Sequence, residues 1–427
     1  MGDKHFAFVT NDGEESTGRH WPQLSYGMAK LTGMAFRGEN MMPLALELNA
    51  RIDADASDTA AMMDLATIHI LWGQEERAKL YQSHAFCQQR IYRDPCHRDT
   101  SIRLLALAAP GNLMANSPIQ FLLEDSDICL DILYIVPGTV FPEITPDHDV
   151  VMVIVGESDD SHEILECISG STDRWPCPIN DPRSVLNLSR DSVSSLLAEA
   201  PGIFIPSTIR AVPPELMQLG LGQVALSEVL PGAKFPIIVR PLDSHAGIGL
   251  EKLDEPAAIA SYLLAHPADE YYLSSFIDYR SQGGMFRKYR IVVIDGCPYV
   301  CHMAVSSNWM VHYLNAGMYE SAEKRDEEAK AFTTFDSDFA KRHAVAFKAL
   351  VDCLNLDYFA IDCAETTDGR LFIFEVGTAM IVHAMDPEDV FPYKRPQMQR
   401  IFHAFQEMLH RRVMGATTPN RGRIQVP

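Results

Sequence analysis

Four groups of residues in this chain have types and spacings that could do chemistry. The first runs from Phe235 to Leu250, where an apolar strand delivers one cation, Arg240, and a loop containing Ser244, Gly247 and Gly249 follows at once. Glycine lets backbone N–H groups approach phosphate oxygens closely, and a fixed cation neutralises their charge. Gly-x-Gly turns also occur in ordinary hairpins, so this loop decides nothing alone. The second group is Tyr272 to Asp278. Here the extended stretch Ser275, Phe276, Ile277 can offer main-chain donors and acceptors to adenine, and Asp278 a carboxylate to ribose. The same residues also read as an ordinary strand end.

In the third group Arg290 opens a strand that turns at Asp295-Gly296 into a second, Tyr299 to Ala304. An arginine there is either solvent-exposed decoration or a guanidinium fork aimed at a phosphate or acyl phosphate. The fourth group is the most informative. Asp362 ends a strand beginning at Tyr358, Glu375 ends one beginning at Leu371, and Asp368-Gly369 turns between them. Such a hairpin sets two carboxylates side by side. Hard oxygen ligands of this kind suit Mg²⁺, and without a cation the two acids repel and shift each other's pKa. Chance pairing of acids across a hairpin gives the same pattern.

In this order the four groups resemble the ATP-grasp family, which includes D-alanine–D-alanine ligases, glutathione synthetases and RimK-type amino-acid ligases. The resemblance covers about 189–412, and the stretch near 100–185 resembles the α/β domain that precedes ATP-grasp in those enzymes. It implies an α/β (α+β ATP-grasp) fold with a Rossmann-like pre-ATP-grasp domain and an N-terminal helical segment. It also implies ATP with Mg²⁺, or Mn²⁺ in its place. By position Arg240 matches the phosphate cation, Gly247 and Gly249 with Ser244 the closing loop, and Ser275, Phe276, Ile277 and Asp278 the adenosine hinge. Arg290 matches the arginine that stabilises the transferred phosphoryl group, and Arg190 the first phosphate-contacting cation. Asp362 and Glu375 reproduce the family's thirteen-residue separation of metal-binding acids. The sequence departs from the family pattern in three places. Arginine replaces lysine at 240, serine replaces a hinge acid at 275, and Gly377 stands where an asparagine metal ligand belongs. Either one ion is left under-coordinated, or water, His383 or Asp386 substitutes for that ligand.

The activity implied is an ATP-dependent carboxylate–amine ligase working through an acyl phosphate and releasing ADP and phosphate. Its partners would be ATP and small-molecule or peptide carboxylate and amine substrates, in a cytoplasmic protein; relatives are often homodimers, and the sequence itself shows no interface. Two alternatives stand beside it. One is a catalytically impaired ATP-binding protein that recruits a partner through its N-terminal helices; the other is an ATP-grasp phosphotransferase.

The remaining sequence has to position these groups. At 427 residues the chain is too long for one compact core. Its 36 Lys and Arg against 57 Asp and Glu give a net charge of −21, which argues against nucleic-acid or membrane-surface partners. No apolar run approaches the ~20 residues that span a bilayer, and no signal peptide is expected. The nine cysteines are scattered without C-x-x-C spacing, as expected for reduced thiols.

The expected organisation is an irregular lead and tetratricopeptide-like helical segment over 1–99, the α/β domain over 100–188, the ATP-grasp domain over 189–412, and a flexible tail over 413–427. Glycines spaced through residues 1–40 argue against a long helix there. Loops around Asn112–Ser117, Gly156–Ser158 and Asn180-Asp181 follow strands and are candidate substrate contacts. Trp309, His312, Tyr313 and Asn315 are a candidate pocket wall. His383 reads as a core histidine, and Glu323 to Lys330 as a solvated charge run.

Overall fold

The computed structural model describes residues 25–416, apart from 96–99, 172–173, 176–177, 243, 245–246 and 282. Helices and three sheets alternate along it. The first sheet holds β1 (Ile91–Arg93), β2 (Ile102–Ala108), β3 (Ile128–Tyr134) and β4 (Val150–Val153) in the order β1-β3-β2-β4. β2 is parallel to both β3 and β4, and β1 closes one edge antiparallel. Continuous apolar runs such as Leu104–Ala108 suit such strands, because parallel sheets are covered on both faces.

Next in the chain come β5 (Ile203–Phe204), β6 (Thr208–Ala211), β7 (Ile237–Pro241), β8 (Glu251–Leu253) and β9 (Tyr271–Ser275). The last four strands are β10 (Phe286–Ile294), β11 (Cys297–Ser306), β12 (Tyr358–Glu365) and β13 (Leu371–Gly377). They form two sheets, a small one ordered β6-β9-β7-β8 and a large one ordered β11-β10-β12-β13-β5. β6 and β8 were not legible in the sequence, being short and without apolar alternation. Two helices, Phe339–Arg342 and Ala344–Leu354, follow one another with His343 between them.

One core joins the first and large sheets. Leu105, Leu107 and Val153 share a cluster with Ile291, Val293 and Ile361. On the opposite faces Leu104, Ala106 and Ile132 cluster with Val292, Ile294 and Tyr358. The helix Lys394–Ala416 covers the second cluster with Met398, Ile401, Phe402, Phe405 and Leu409, an apolar stripe at helical spacing. The small sheet keeps a separate core of Ile237, Val239, Leu273, Leu216 and Ile259.

The N-terminal helices are Met28–Phe36, Met42–Ala54, Thr59–Leu71 and Glu75–Gln88. The first corrects the irregular reading of that stretch. Leu31 is fully buried against Leu44, Leu48 and Leu65, and this packing outweighs the helix cost of Gly33, about 1 kcal/mol. The segment is tied to the main body at Gln82, whose side chain donates to Gly111 O at 2.8 Å and accepts from Gly111 N at 3.1 Å. Among the described residues no helix is long and apolar enough to cross a membrane. Cys87, Cys167, Cys297, Cys301, Cys353 and Cys363 are free, and Cys96 and Cys177 lie outside the described residues.

Asp64 holds the start of the described chain. Its buried carboxylate accepts from Ser25 Oγ, Tyr26 N and Gly27 N at 2.7–3.2 Å. Burial nevertheless pushes its carboxyl up to about 6. The folded value lies above the unfolded one of about 4, so this group stabilises the fold more as pH falls from 6 toward 4, and that contribution is lost as pH rises through 6. A carbon-13 titration of Asp64 is expected to show a midpoint near 6. A midpoint at 4 or below would mean that the three donors outweigh burial.

Candidate active site

Strand register builds the centre of the site. β10 pairs with β12 so that Arg290 lies opposite Asp362, and β12 pairs with β13 so that Asp362 lies opposite Glu375. On the other side of β10, His302 of β11 lies opposite Arg290. Four strands therefore carry His302, Arg290, Asp362 and Glu375 in one row, about 4.8 Å apart from strand to strand. The two acids come together as the hairpin reading expects, but they sit inside the strands rather than at their ends.

Each acid is held by cations. Arg290 forks onto Asp362, with Nε donating to Oδ1 at 2.8 Å and Nη2 to Oδ2 at 3.1 Å. Lys288 Nζ adds a contact to Oδ2 at 2.7 Å. Burial works against ionising Asp362, but Arg290 and Lys288 outweigh it and hold the carboxyl well below the usual range. Arg190 Nη2 contacts Glu375 Oε1 at 2.7 Å, while its Nη1 donates to Phe374 O at 3.0 Å. Burial again opposes ionisation, and Arg190 with Arg240 keeps the Glu375 carboxyl below its ordinary value. Lys288 escaped the sequence reading. The signal was there: Phe286, Lys288 and Arg290 are two apart on one strand and share a face.

Arg240 differs from the other cations. It lies on β7 opposite Tyr272 of β9 and is only 9% exposed. Among the described residues its side chain bonds to a neutral hydroxyl, with Nε and Nη2 donating to Ser244 Oγ at 3.2 and 3.0 Å. Among the described residues no carboxylate pairs with it. Burial, followed by neighbouring Arg190, pushes it down to about 10, so it remains charged at neutral pH. Ser244 Oγ in turn donates to Pro241 O at 2.8 Å. A buried guanidinium beside a second one is a prepared anion site.

The cations open into a cavity of about 450 Å³ between the small and large sheets. Its lining includes Arg190, Arg240, Lys288, Arg290, Asp362 and Glu375, so its ionised groups sum to +2 in a chain of net charge −21. Ile205, Ile238, Ser275, Phe276, Ile277 and Phe374 form an apolar wall suited to a flat ring. Asp278, the expected ribose acid, is not in the lining. It pairs with Arg280, whose Nε donates to Oδ1 at 2.9 Å, on the protein surface. Trp309, His312 and Asn315 line the cavity as expected, together with Met310 and Val311.

Tyr313 points elsewhere, donating to Glu328 Oε2 at 2.9 Å. Glu328 corrects the solvated-run reading: it is fully buried, and also accepts from Met303 N and Tyr393 Oη. A charge run shows helical spacing but not which face meets the body. His383 packs against Phe36 and Phe121, and its Nδ1 accepts from Met385 N at 3.1 Å.

The glycine loop reaches the same cavity through Gly247. Both glycines have positive φ, and a Cβ on Gly249 would come within 2.6 Å of Pro241 Cδ. Gly249→Ala is expected to cost about 1–2 kcal/mol from backbone strain alone, and more once Pro241 is displaced. Gly284→Ala, also at positive φ but in open space, is the control. Equal losses for the two in urea titrations would remove the steric role given to Pro241.

The loops after β2 and β4 serve a different end from the one expected. Ser117 Oγ donates to Thr378 O at 2.7 Å, and a Cβ on Gly156 would meet Ala379 Cβ at 2.9 Å. Asn180 bonds the backbone of Asp357 and Tyr358. They clasp the ends of β12 and β13, and from these loops only Met114 lines the cavity.

Whether divalent metal fits can be judged from the donors. Both oxygens of Asp362 and one of Glu375 are engaged by guanidinium or ammonium groups. Gly377 brings no side-chain ligand, and among the described residues no three His, Cys, Asp or Glu gather into a metal-sized group. Two unit charges 4 Å apart interact by about 4 kcal/mol near a protein surface. A divalent ion at these acids would meet that repulsion, doubled, from each neighbouring cation. The residues do not fit a resident metal site, and the expectation of Asp362 and Glu375 as its ligands is not carried forward.

No family model matches the chain, and no curated protein matches it. Among solved structures it is similar to a RimK domain protein ATP-grasp from Sphaerobacter thermophilus, with 13% identity, 71% of this chain and 99% of that chain covered, and a TM-score of 0.39. It is also similar to D-alanine–D-alanine ligase from Bacillus anthracis complexed with ATP, with 11% identity, coverage of 74% and 100%, and a TM-score of 0.46. A third is the ATP-grasp ligase PsnB complexed with a phosphomimetic variant of minimal precursor, Mg and ADP, with 14% identity, coverage of 73% and 99%, and a TM-score of 0.40. At these values the functional reading rests on the chain's own residues.

Proposed function

We propose that this protein is an ATP-dependent carboxylate–amine ligase of the ATP-grasp type. The observation that carries the reading is Arg240: a buried, charged guanidinium without a carboxylate partner among the described residues, beside Arg190 in a cavity between two sheets. Leaving such a charge uncompensated is costly unless an anion completes it. A polyphosphate with a flat base, seated against Ile238, Phe276 and Phe374, supplies both the anion and the ring.

In this reading Arg240 and Arg190 hold the phosphates and Ser275–Ile277 the adenine. Asp362 fixes Lys288 and Arg290, which face the γ phosphorus. A substrate carboxylate attacks that phosphorus, ADP leaves, and an acyl phosphate forms. An amine then attacks the acyl carbon, phosphate departs, and the amine's proton passes to solvent as the amide forms. Arg290 and Lys288 offer positive charge where the transferred group and then the tetrahedral adduct become negative. Trp309, Met310 and Val311 shield the intermediate from water.

A second reading, an ATP-binding protein without turnover, draws on Gly377 and the fully ion-paired Asp362. Screening carboxylate and amine pairs for ADP release, with products identified by mass, separates them. Amide formation supports the ligase, a phosphorylated product alone would indicate a phosphotransferase, and nucleotide binding without ADP release would favour the second reading.

A further inference from the structure

We infer that the cavity binds its triphosphate with protein cations alone, so that nucleotide binding needs no divalent ion. This rests on the ATP reading above. A divalent ion usually does two things for a bound triphosphate: it neutralises charge and fixes the phosphate oxygens in place. Here Arg190, Arg240, Lys288 and Arg290 line one cavity and can do both.

The acids act on the cations rather than on a metal. Asp362 spends both oxygens on Arg290 and Lys288, and Lys288 keeps two further N–H donors beyond that contact. Glu375 holds Arg190, and among the described residues Arg240 pairs with no acid that it would have to release before it meets a phosphate. The third ligand position is Gly377, which has no side-chain donor to give. It is the binding step, and not phosphoryl transfer, that this arrangement frees from divalent ions.

The test is calorimetric titration of the full chain with ATP in EDTA and in excess Mg²⁺. Dissociation constants within about threefold of each other are expected. Binding in Mg²⁺ that weakens more than tenfold in EDTA would overturn the inference while leaving the ATP reading intact. Failure to bind ATP under both conditions would overturn the ATP reading itself. Glu375→Gln gives a second, independent arm, with a melting curve to confirm folding. If Glu375 only restrains Arg190, the variant binds ATP in EDTA as tightly as wild type or several-fold tighter. If the carboxylate ligates metal, the variant loses affinity in Mg²⁺ and gains nothing in EDTA.

Discussion

Replacing Arg290 with methionine is expected to destabilise the protein by about 3 kcal/mol and to lower turnover by about a hundredfold or more. Asp362 is 2% exposed, and Arg290 supplies two of its contacts in a bidentate fork. Removing one partner of a buried pair typically costs about 3–5 kcal/mol, because the other charge is left without compensation. The low end applies here because Lys288 remains on Oδ2. Arg290→Lys keeps the charge but not the fork, so an intermediate loss is expected.

The acid side of the stability profile gives a further readout. Asp362 is held well below its ordinary value in the folded chain, so its stabilisation is present above about pH 4 and is lost as pH falls below that. In the methionine variant the folded value rises toward the unfolded one, so this acid-side loss becomes smaller. Guanidinium titrations between pH 3 and 7 would show both effects. A loss under 1 kcal/mol at pH 7 would mean that Lys288 alone satisfies the carboxylate.

Arg240→Gln is expected to have the opposite signature, with weaker binding and a sturdier fold. A charged hydrogen-bond donor to an anion contributes about 1.5–3 kcal/mol, so the dissociation constant for ATP should rise about 10- to 150-fold. The guanidinium is buried, Arg190 repels it more than Glu375 attracts it, and among the described residues it bonds only to a hydroxyl. Removing it relieves that repulsion, and the melting temperature should hold or increase. Groups kept for binding at the expense of stability behave in this way. Unchanged affinity would mean that the cation does not face the ligand, and a large drop in melting temperature would mean that Arg240 is structural.

Much of this site was legible in sequence because its parts are local. Arg240 with its glycines, Arg290 on its strand (in the middle of β10 rather than at the start expected), and the Asp362/Glu375 hairpin each fit within a few residues of turn chemistry and alternation. What could not be read is what depends on register between distant strands. Nothing near Lys288 says that β12 will bring Asp362 to it from 74 residues away. Asp278 shows the same limit from the other side: it follows the right strand but pairs with its neighbour Arg280. Glu328 was misread because the composition of a helix does not tell which of its charges faces Tyr313 and Tyr393. Two acids in register predict a cation, but not that arginine and lysine will lie against them.

The small sheet's separate core has a thermodynamic consequence. Ile237, Val239 and Leu273 bury themselves among their own neighbours and share no cluster with the large sheet. The cavity is therefore a seam between two blocks that can lose structure at different free energies. Arg240 belongs to one block and Arg290 to the other, so a polyanion that bridges them binds only when both are folded. Its binding energy is thereby added to whichever block is weaker, and the occupied molecule should melt as one unit where the empty one melts as two.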